Sequence, residues 1–408
     1  MRIYLIGIGM GSPEALTIEA GKAIRDSDVL IGAARMIDPF KEGKKIYHDY
    51  KAEEIIKALQ VQDSSSTVSI LMSGDVGFYS GAKKLIKAIE KASFYKESEF
   101  TVLPGISSVV SFCAKLHTSW DDVKLVSAHG REANLIGYVE RYPKVFALMY
   151  GREQLSDLIE KLLIYGMGHV KIHVGQKLTY PDESVFEIVP DEEKPLPNID
   201  PLYVILIENP KASDDSLYGI DDDDFIRTKT PMTKSDVRTI SIAKLKLKPD
   251  SVLFDIGAGT GSISIEASKK LIDGRVYAIE RKTEAIELIN KNIRKFAADN
   301  VSPIEGKAPL VLKKLPVPTH AFIGGSGGNM EKIIDYLLEV NPDIRIVINA
   351  AALNTIGEVS EIIRKKEWDA DITSISIAKG REVSGYQMMM GQNPVYIVAL
   401  EPGKKQSK

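Results

Sequence analysis

The sequence predicts an α/β chain built from two successive open-sheet units, the second ending in a β-hairpin. Three observations predict it. Short apolar runs alternate with amphipathic helical stretches along nearly the whole chain. Residues 2–6 and 251–256 each run into a glycine turn, Gly7-Ile8-Gly9-Met10-Gly11 and Gly257-Ala258-Gly259-Thr260-Gly261, before a helical stretch. Between the two, residues 209–231 lose all apolar periodicity and carry Asp214-Asp215 and the run Asp221 to Asp224, which reads as a solvated acidic linker.

Composition bounds the class. At ~150 residues per domain, 408 residues allow two or three domains. The chain is 44% hydrophobic and 27% charged, close to a folded soluble average and far from disorder. A net charge of −3 argues against a nucleic-acid binder, which carries a basic surplus. The single cysteine, Cys113, excludes an internal disulfide and any multi-cysteine metal site, and packs as a small core residue. None of the six histidines stands in metal-ligand spacing with another ligand type, so no metal site is assigned. No apolar run approaches the ~20 residues of a membrane span. Residues 1–5 lead into the first turn without a cleavage pattern, so a cytoplasmic location is expected.

In the first unit, three strand–turn–helix repeats share one rim. The strand at 2–6 leads through the first turn and Pro13 to a helix starting near Thr17. The strand at 68–72 leads through Ser73-Gly74-Asp75-Val76-Gly77-Phe78-Tyr79-Ser80-Gly81 to a helix at 82–90. The strand at 100–103 leads through Pro104-Gly105-Ile106-Ser107-Ser108 to a helix through Cys113. Turns gathered at the carboxyl ends of parallel strands make the natural ligand cleft. Residues 124–209 form a further α/β piece, with strands at 124–127, 145–149, 170–174 and 202–207 and helices at 134–141 and 154–165. Arg131, after the first of these strands, is a candidate partner for an acid.

In the second unit, strands are expected at 252–256, 276–280, 321–323, 345–349, 371–377 and 395–400, with helices such as 262–270 and 282–298 between them. The last two strands have no helix between them, hence the hairpin; the run Met388-Met389-Met390 falls in it or at an interface. Gly257, Gly259 and Gly261 let the backbone approach a ligand with no Cβ in the way. The following helix offers free N–H groups. Glu280 ends the next strand, where an acid accepts from ribose hydroxyls. The spacing is G-x-G-x-G after Asp255, not the G-x-G-x-x-G of pyrophosphate-bearing dinucleotides, and it points to S-adenosylmethionine. Thr233, with Asp236 three residues on, is placed to cap a helix. Around that helix start Arg227, Lys229, Lys234 and Arg238 gather four cations, either a solvated face or a grip on a carboxylate-rich substrate. The glycine-rich turn 322–329 carries neither an acid nor an Asn-Pro pair, which argues against nucleic-acid amine methylation.

These motifs carry a resemblance. The first half resembles the tetrapyrrole (corrin and porphyrin) methylases through the turns at 7–17, 74–81 and 104–108. The second half resembles the decarboxylating precorrin methyltransferases. The matching pieces are Pro231-Met232-Thr233-Lys234-x-x-Val237-Arg238, the 255–261 turn, Ala278-Ile279-Glu280-Arg281, the 322–329 turn and Asn393-Pro394-Val395-Tyr396. In this order the halves look like the fused methyltransferases of cobalamin biosynthesis that act at carbons 5 and 15.

The resemblance implies a tetrapyrrole methylase fold of two α/β subdomains over 1–209, a linker at 210–230, and a Rossmann-like methyltransferase over 231–408. It implies S-adenosylmethionine held by Gly74, Asp75, Val76, Gly77, Phe78, Ser107 and Ser108 in the first half. In the second half it implies Thr233, Asp255, Gly257, Gly259, Thr260, Gly261, Glu280, Gly306, Ala308, Gly324 and Gly325. Val76 stands where the family often has proline, a departure at a largely backbone contact. Gly9, Gly11 and Pro13 would face the tetrapyrrole; Arg227, Lys229, Lys234, Arg238, Lys379 and Arg381 would orient its carboxylates. The implied chemistry is methylation at carbon 5 by the first half, and methylation at carbon 15 with loss of the ring C acetate carboxyl by the second. The implied assembly is a homo-oligomer, dimer or tetramer, with no nucleic-acid or membrane partner. No residue is identified as a catalytic acid or base. A tRNA or rRNA methyltransferase and a non-catalytic S-adenosylmethionine-binding module are the rival readings.

Overall fold

The structure, a computed structural model, describes residues 1–130, 132–192, 194–213 and 219–401. Arg131, the pair Asp214-Asp215 and the Lys-rich tail lie outside the described residues. The chain divides into two compact units. The first comprises Met1–Glu132, Lys144–Ile159 and Gly168–Asn209; the second comprises Ala133–Pro143, Glu160–Met167 and the chain from Pro210.

The first unit holds two sheets. One is built from β1 (Arg2–Gly7), β2 (Val29–Ile31), β3 (Lys45–Tyr47), β4 (Thr67–Met72) and β5 (Glu99–Leu103), in the order β3-β2-β4-β1-β5, all parallel. Its central strands are apolar on both faces, with Ile3, Leu5, Ile6, Val68, Ile70 and Leu71 buried, as a sheet covered on both sides requires. This order sets β1, β4 and β5 side by side, so the three predicted turns do share one rim. The second sheet contains β6 (Lys124–Ser127), β7 (Lys144–Tyr150), β8 (Lys171–Gln176), β9 (Ser184–Ile188) and β10 (Leu202–Glu208), ordered β6-β7-β10-β8-β9. Only β6 and β7 pair in parallel. Cys113 is buried beside Phe112 in the core between these elements, and burial pushes its thiol pKa up.

The second unit is a seven-stranded sheet. It contains β11 (Val252–Ile256), β12 (Arg275–Glu280), β13 (Val301–Glu305), β14 (His320–Ile323), β15 (Arg345–Ala350), β16 (Ala370–Ile375), and a last strand after a separate ribbon, β17 (Ala378–Val383) and β18 (Tyr386–Gly391). That last strand, β19 (Val395–Leu400), inserts between β15 and β16, giving β13-β12-β11-β14-β15-β19-β16. It runs antiparallel to both neighbours. The expected terminal hairpin therefore exists as an antiparallel pair, β16 with β19, but no tight turn joins it. The intervening chain forms the β17–β18 ribbon, whose every residue is exposed, Met388, Met389 and Met390 among them.

The acidic stretch departs only in part from its expectation as a solvated loop: Asp221, Asp223 and Asp224 are exposed, as expected. From Gly219 the chain is docked onto the second unit's core. Ile220 and Phe225 are buried, Phe225 lies 4.7 Å from the Phe296 ring, and Asn292 clasps Ile226 by accepting from its N–H and donating to its carbonyl. Asp222 alone of the four aspartates is partly buried, its side chain 16% exposed. Its carboxylate accepts the N–H of Ser235 at 2.9 Å, at the head of the helix Ser235–Leu245. Thr233, expected to cap this helix, stands one residue ahead of the N-cap position; Lys234 occupies that position without a side-chain cap bond, and Asp222 reaches the helix start from outside it.

Candidate active site

In the first unit the three turns converge. Gly9 and Gly74 exchange backbone hydrogen bonds at 3.1 and 2.7 Å. A Cβ on Gly7 would stand 2.7 Å from both the Gly105 nitrogen and the Gly74 carbonyl oxygen, so at Gly7 the close approach itself demands glycine. Asp75 ties the second turn to the third: its carboxylate accepts the N–H of Gly77 at 2.8 Å and of Gly105 at 3.1 Å. Ser107 is buried and caps the helix Ser108–Lys115 by accepting from Val110. Ser108 is buried in its first turn. Val76 packs against the first sheet's core, and the Phe78 ring lies 6.0 Å from that of Phe146. The predicted residues of these turns are thus assembled at one place, several through backbone rather than side chain.

Gly11 and Ser12 meet a loop that the sequence did not mark. The Tyr180 ring occupies the space a Cβ on Gly11 would need, and the Ser12 N–H points at the Thr179 hydroxyl, 3.4 Å away. Pro13 opens a short 3-10 turn capped by Ser12. Lys177 and Thr179 both hold left-handed backbone conformations, φ 50° and 72°. For a β-branched threonine that is an outlier of the kind found at functional sites. Glu183 holds the loop, accepting the Thr179 N–H at 2.6 Å and pairing with Lys115 at 2.7 Å.

In the second unit a cleft of about 880 Å³ opens at the carboxyl ends of the strands. Thr233, Lys234, Gly257, Gly259, Glu280, Gly306, Ala308, Gly324 and Gly325 all line it. Two glycine turns meet there: a Cβ on Gly257, whose φ is 77°, would stand 2.7 Å from the Gly325 carbonyl oxygen. The Glu280 carboxylate is aimed by backbone groups, accepting the N–H of Gly259 at 3.1 Å, of Arg281 at 2.8 Å and of Lys282 at 3.2 Å. A Cβ-free cradle beside one oriented carboxylate fits the adenosine and methionine parts of S-adenosylmethionine.

Asp255, Thr260 and Gly261 correct the expectation, since none lines the cleft. Gly261 packs against Ile289 behind the turn. Thr260 is 1% exposed and Asp255 0%. Asp255 accepts from the Ser264 hydroxyl at 2.5 Å with one oxygen, while the other has no partner. Burial, less the help of Ser264 and with the Glu280 charge adding to it, pushes its pKa up from 3.8 to about 7. The folded carboxyl keeps its proton where the unfolded one has lost it, so this group's contribution to stability is full below pH ~4 and declines as pH rises through ~7. Asp255→Asn is therefore expected to gain stability relative to wild type between pH 4 and 7 and to hold that gain above; denaturant midpoints measured across that range check it.

The six predicted cations fare unequally. Arg238 is fully buried against Glu266, with Asp222 at 3.3 Å, and cannot reach a substrate. Arg227 pairs with Asp223, Lys379 with Asp236 at 2.8 Å, and Lys234 stands 3.8 Å from Asp222. Lys229 and Arg381 are exposed and do not line the cleft. The structure instead brings Arg281, Lys282 and Lys307 to the lining, together with Asn349, Gln392 and Asn393. Arg281 and Asn393 stood inside motifs quoted for the resemblance, and Asn349 announces itself only as an amide closing the apolar strand RIVINA.

Residues 2–191 match the model of the Tetrapyrrole (Corrin/Porphyrin) Methylases, and residues 224–401 match that of the Precorrin methyltransferase domain. A curated relative from Pyrobaculum calidifontis, the probable cobalt-precorrin-6B C(15)-methyltransferase (decarboxylating), is 38% identical over 183 residues, 44% of this chain and 94% of the relative. The chain belongs to the precorrin methyltransferase family. A second relative of the same description, from Sulfurisphaera tokodaii, is 37% identical over 45% of this chain and 96% of its own length. The crystal structure of precorrin-6y C5,15-methyltransferase from Geobacter metallireducens GS-15 is 39% identical over 45% of this chain and 97% of that one, with a TM-score of 0.44. As a precorrin methyltransferase whose residues 2–191 match the tetrapyrrole methylases, the chain uses S-adenosylmethionine as methyl donor. Among the described residues no helix is long and apolar enough to cross a membrane.

Proposed function

We propose that this precorrin methyltransferase is bifunctional in cobalamin biosynthesis. The first unit methylates a precorrin at carbon 5. The second methylates carbon 15 and removes the carboxyl of the ring C acetate. The observation that carries the reading is the second unit's cleft, where two glycine turns and the oriented Glu280 meet at the strand ends of a chain whose relatives are decarboxylating C(15)-methyltransferases.

S-adenosylmethionine supplies a methyl group already activated on its sulfonium. The chain's own part is to hold and orient. Glu280 accepts from the ribose, the Gly257 and Gly325 turns let the donor lie against bare backbone, and the cleft walls exclude water while the ring carbon and the methyl are brought into line. The ring carbon is electron-rich through conjugation with the pyrrole-type nitrogens. The same conjugation accepts the electron pair released on decarboxylation. In the first unit the turns at 74–81 and 104–108 would hold the donor, and Gly9 and Gly11, the latter with Tyr180 against it, would face the tetrapyrrole. Lys234 is the predicted cation best placed to meet a carboxylate, since it lines the cleft and its acid partner lies 3.8 Å away. We place the enzyme in the cytoplasm as a homo-oligomer, dimer or tetramer, without a nucleic-acid partner.

Incubating the chain with S-adenosylmethionine and either metal-free or cobalt-loaded precorrin, followed by mass spectrometry, tests this. The expected product has gained two methyl groups and lost one carbon dioxide. No mass change with either substrate overturns the proposal.

A further inference from the structure

We infer that Arg35 is the residue by which the first unit grips a peripheral carboxylate of its tetrapyrrole. The inference rests on the function proposed above, and it supplies what the three turns lack. Residues 7–17, 73–81 and 104–108 contain no lysine or arginine, and their acids are Glu14 and Asp75. A ring bearing many carboxylates meets no cation on the turns themselves. The loop against Gly11 does not provide one either. Lys115 is paired with Glu183 at 2.7 Å and Lys177 with Asp182 at 2.5 Å.

Arg35 differs from both. It is exposed, and among the described residues it pairs with no acid. Its Nη2 points at the Ser73 hydroxyl, 3.4 Å away. Ser73 directly follows β4 and precedes Gly74, so this contact sets the guanidinium beside the junction of Gly74 with Gly9. The backbone that carries Arg35 is held at both ends. A Cβ on Gly32 would stand 3.0 Å from the Leu71 carbonyl oxygen of β4, and the Gly32 N–H donates to the Tyr47 carbonyl at 3.1 Å. The short helix Ala34–Ile37 ends on Ile37, which is fully buried. A fixed backbone thus presents an arginine whose charge no neighbouring acid balances.

Position and chemistry agree. In the order β3-β2-β4-β1-β5, Arg35 follows β2 and Gly11 follows β1, two strand spacings or about 10 Å away. Both lie at the carboxyl ends of parallel strands, where open α/β sheets take their ligands. A ring lying against Gly9, Gly11 and Tyr180 would extend a carboxylate arm across β4 toward β2. The planar guanidinium meets a carboxylate through two parallel N–H···O bonds. Such a pair fixes the ring's rotation as well as its place, and so decides which ring carbon faces the methyl group. Arg35 is in this sense a positioning residue for the substrate, and it takes no part in the methyl transfer itself.

The test uses the full-length chain with S-adenosylmethionine and whichever precorrin, metal-free or cobalt-loaded, the wild type accepts. Initial rates of methyl transfer to carbon 5, located by NMR with an isotope-labelled methyl group, are read at varied precorrin and at varied S-adenosylmethionine. Arg35→Gln is expected to raise the KM for precorrin about tenfold or more, the scale of one lost charge-assisted hydrogen bond, and to leave the KM for S-adenosylmethionine unchanged. Arg35→Lys is expected to recover part of the loss, since it keeps the charge without the fork. Lys51→Gln, which removes an exposed cation after the edge strand β3, is the control for net charge. An unchanged precorrin KM in Arg35→Gln, an equal rise in Lys51→Gln, or a parallel loss of S-adenosylhomocysteine binding by calorimetry overturns the inference and leaves the proposed function standing. A wild-type chain that places no methyl group on carbon 5 overturns the function on which it rests, and the inference with it.

Discussion

Replacing Arg238 with methionine is expected to unfold the second unit rather than to weaken its grip on substrate. The guanidinium is 0% exposed and Glu266 only 2%. Nε donates to Glu266 at 2.6 Å, Nη1 donates to the Thr233 carbonyl at 2.8 Å and to Asp222 at 3.3 Å, and Nη2 donates to the Ile220 carbonyl. The Phe225 ring lies 4.8 Å away. Removing the cation strands Glu266, which also accepts from Gly219, in a core with no counter-charge, a change that costs ~3–5 kcal/mol in comparable pairs. That is a large part of a typical domain's stability. Denaturant unfolding should show the second-unit midpoint falling, and Arg238→Met combined with Glu266→Gln should recover part of the loss. Unchanged stability with a raised KM for the tetrapyrrole would return Arg238 to the substrate site.

Gly105→Ala is expected to silence the first methylation selectively. Its new Cβ would stand 2.5 Å from the Gly7 carbonyl oxygen and closer still to that of Gly74. Both are backbone atoms of neighbouring turns, so no side chain can swing aside. Overpacking of this kind typically costs ~1–3 kcal/mol, and here it falls on the geometry of a binding turn, where small displacements cost rate about a hundredfold. The expected product carries one methyl group fewer than that of the wild type and has still lost carbon dioxide. Mass spectrometry of the product distinguishes this from a general loss of activity, and retention of both methylations would show that the three-turn junction does not hold the donor.

Much of the fold was legible because its strands are long and apolar and end in glycine turns. β11 and β19 fall on the residues expected, as does the helix Ile18–Asp26. What escaped was short or atypical. β2 and β3 have three residues each, too few to show a period. β13 contains Pro303, which argues against a strand until its place at the sheet edge is known. The site was legible where glycines impose it, at Gly257, Gly259, Gly324 and Gly325, since a missing Cβ is itself the signal. It was not legible for charge. Sequence shows that Arg227, Lys234 and Arg238 are near one another, but not that Asp222 and Asp223 fold back onto them. Nor does it show that Asp255 and Thr260 point away from the cleft they help to shape. Burial depends on what the rest of the chain brings, and that information is spread over many distant residues.

The docked stretch from Gly219 to Ile226 has a consequence for how this fold can be divided. The methyltransferase motifs begin at Pro231, yet Ile220, Asp222 and Phe225 upstream complete the pocket around Arg238. A cut at the motif boundary, whether made by a protease or by a gene fission that parts the two activities, would leave the Arg238–Glu266 pair half-clad and the helix at Ser235 without its cap. A viable break must fall ahead of Gly219. Part of what the sequence presents as a tether is thus the second enzyme's own opening segment, and it must travel with that enzyme wherever the halves are separated.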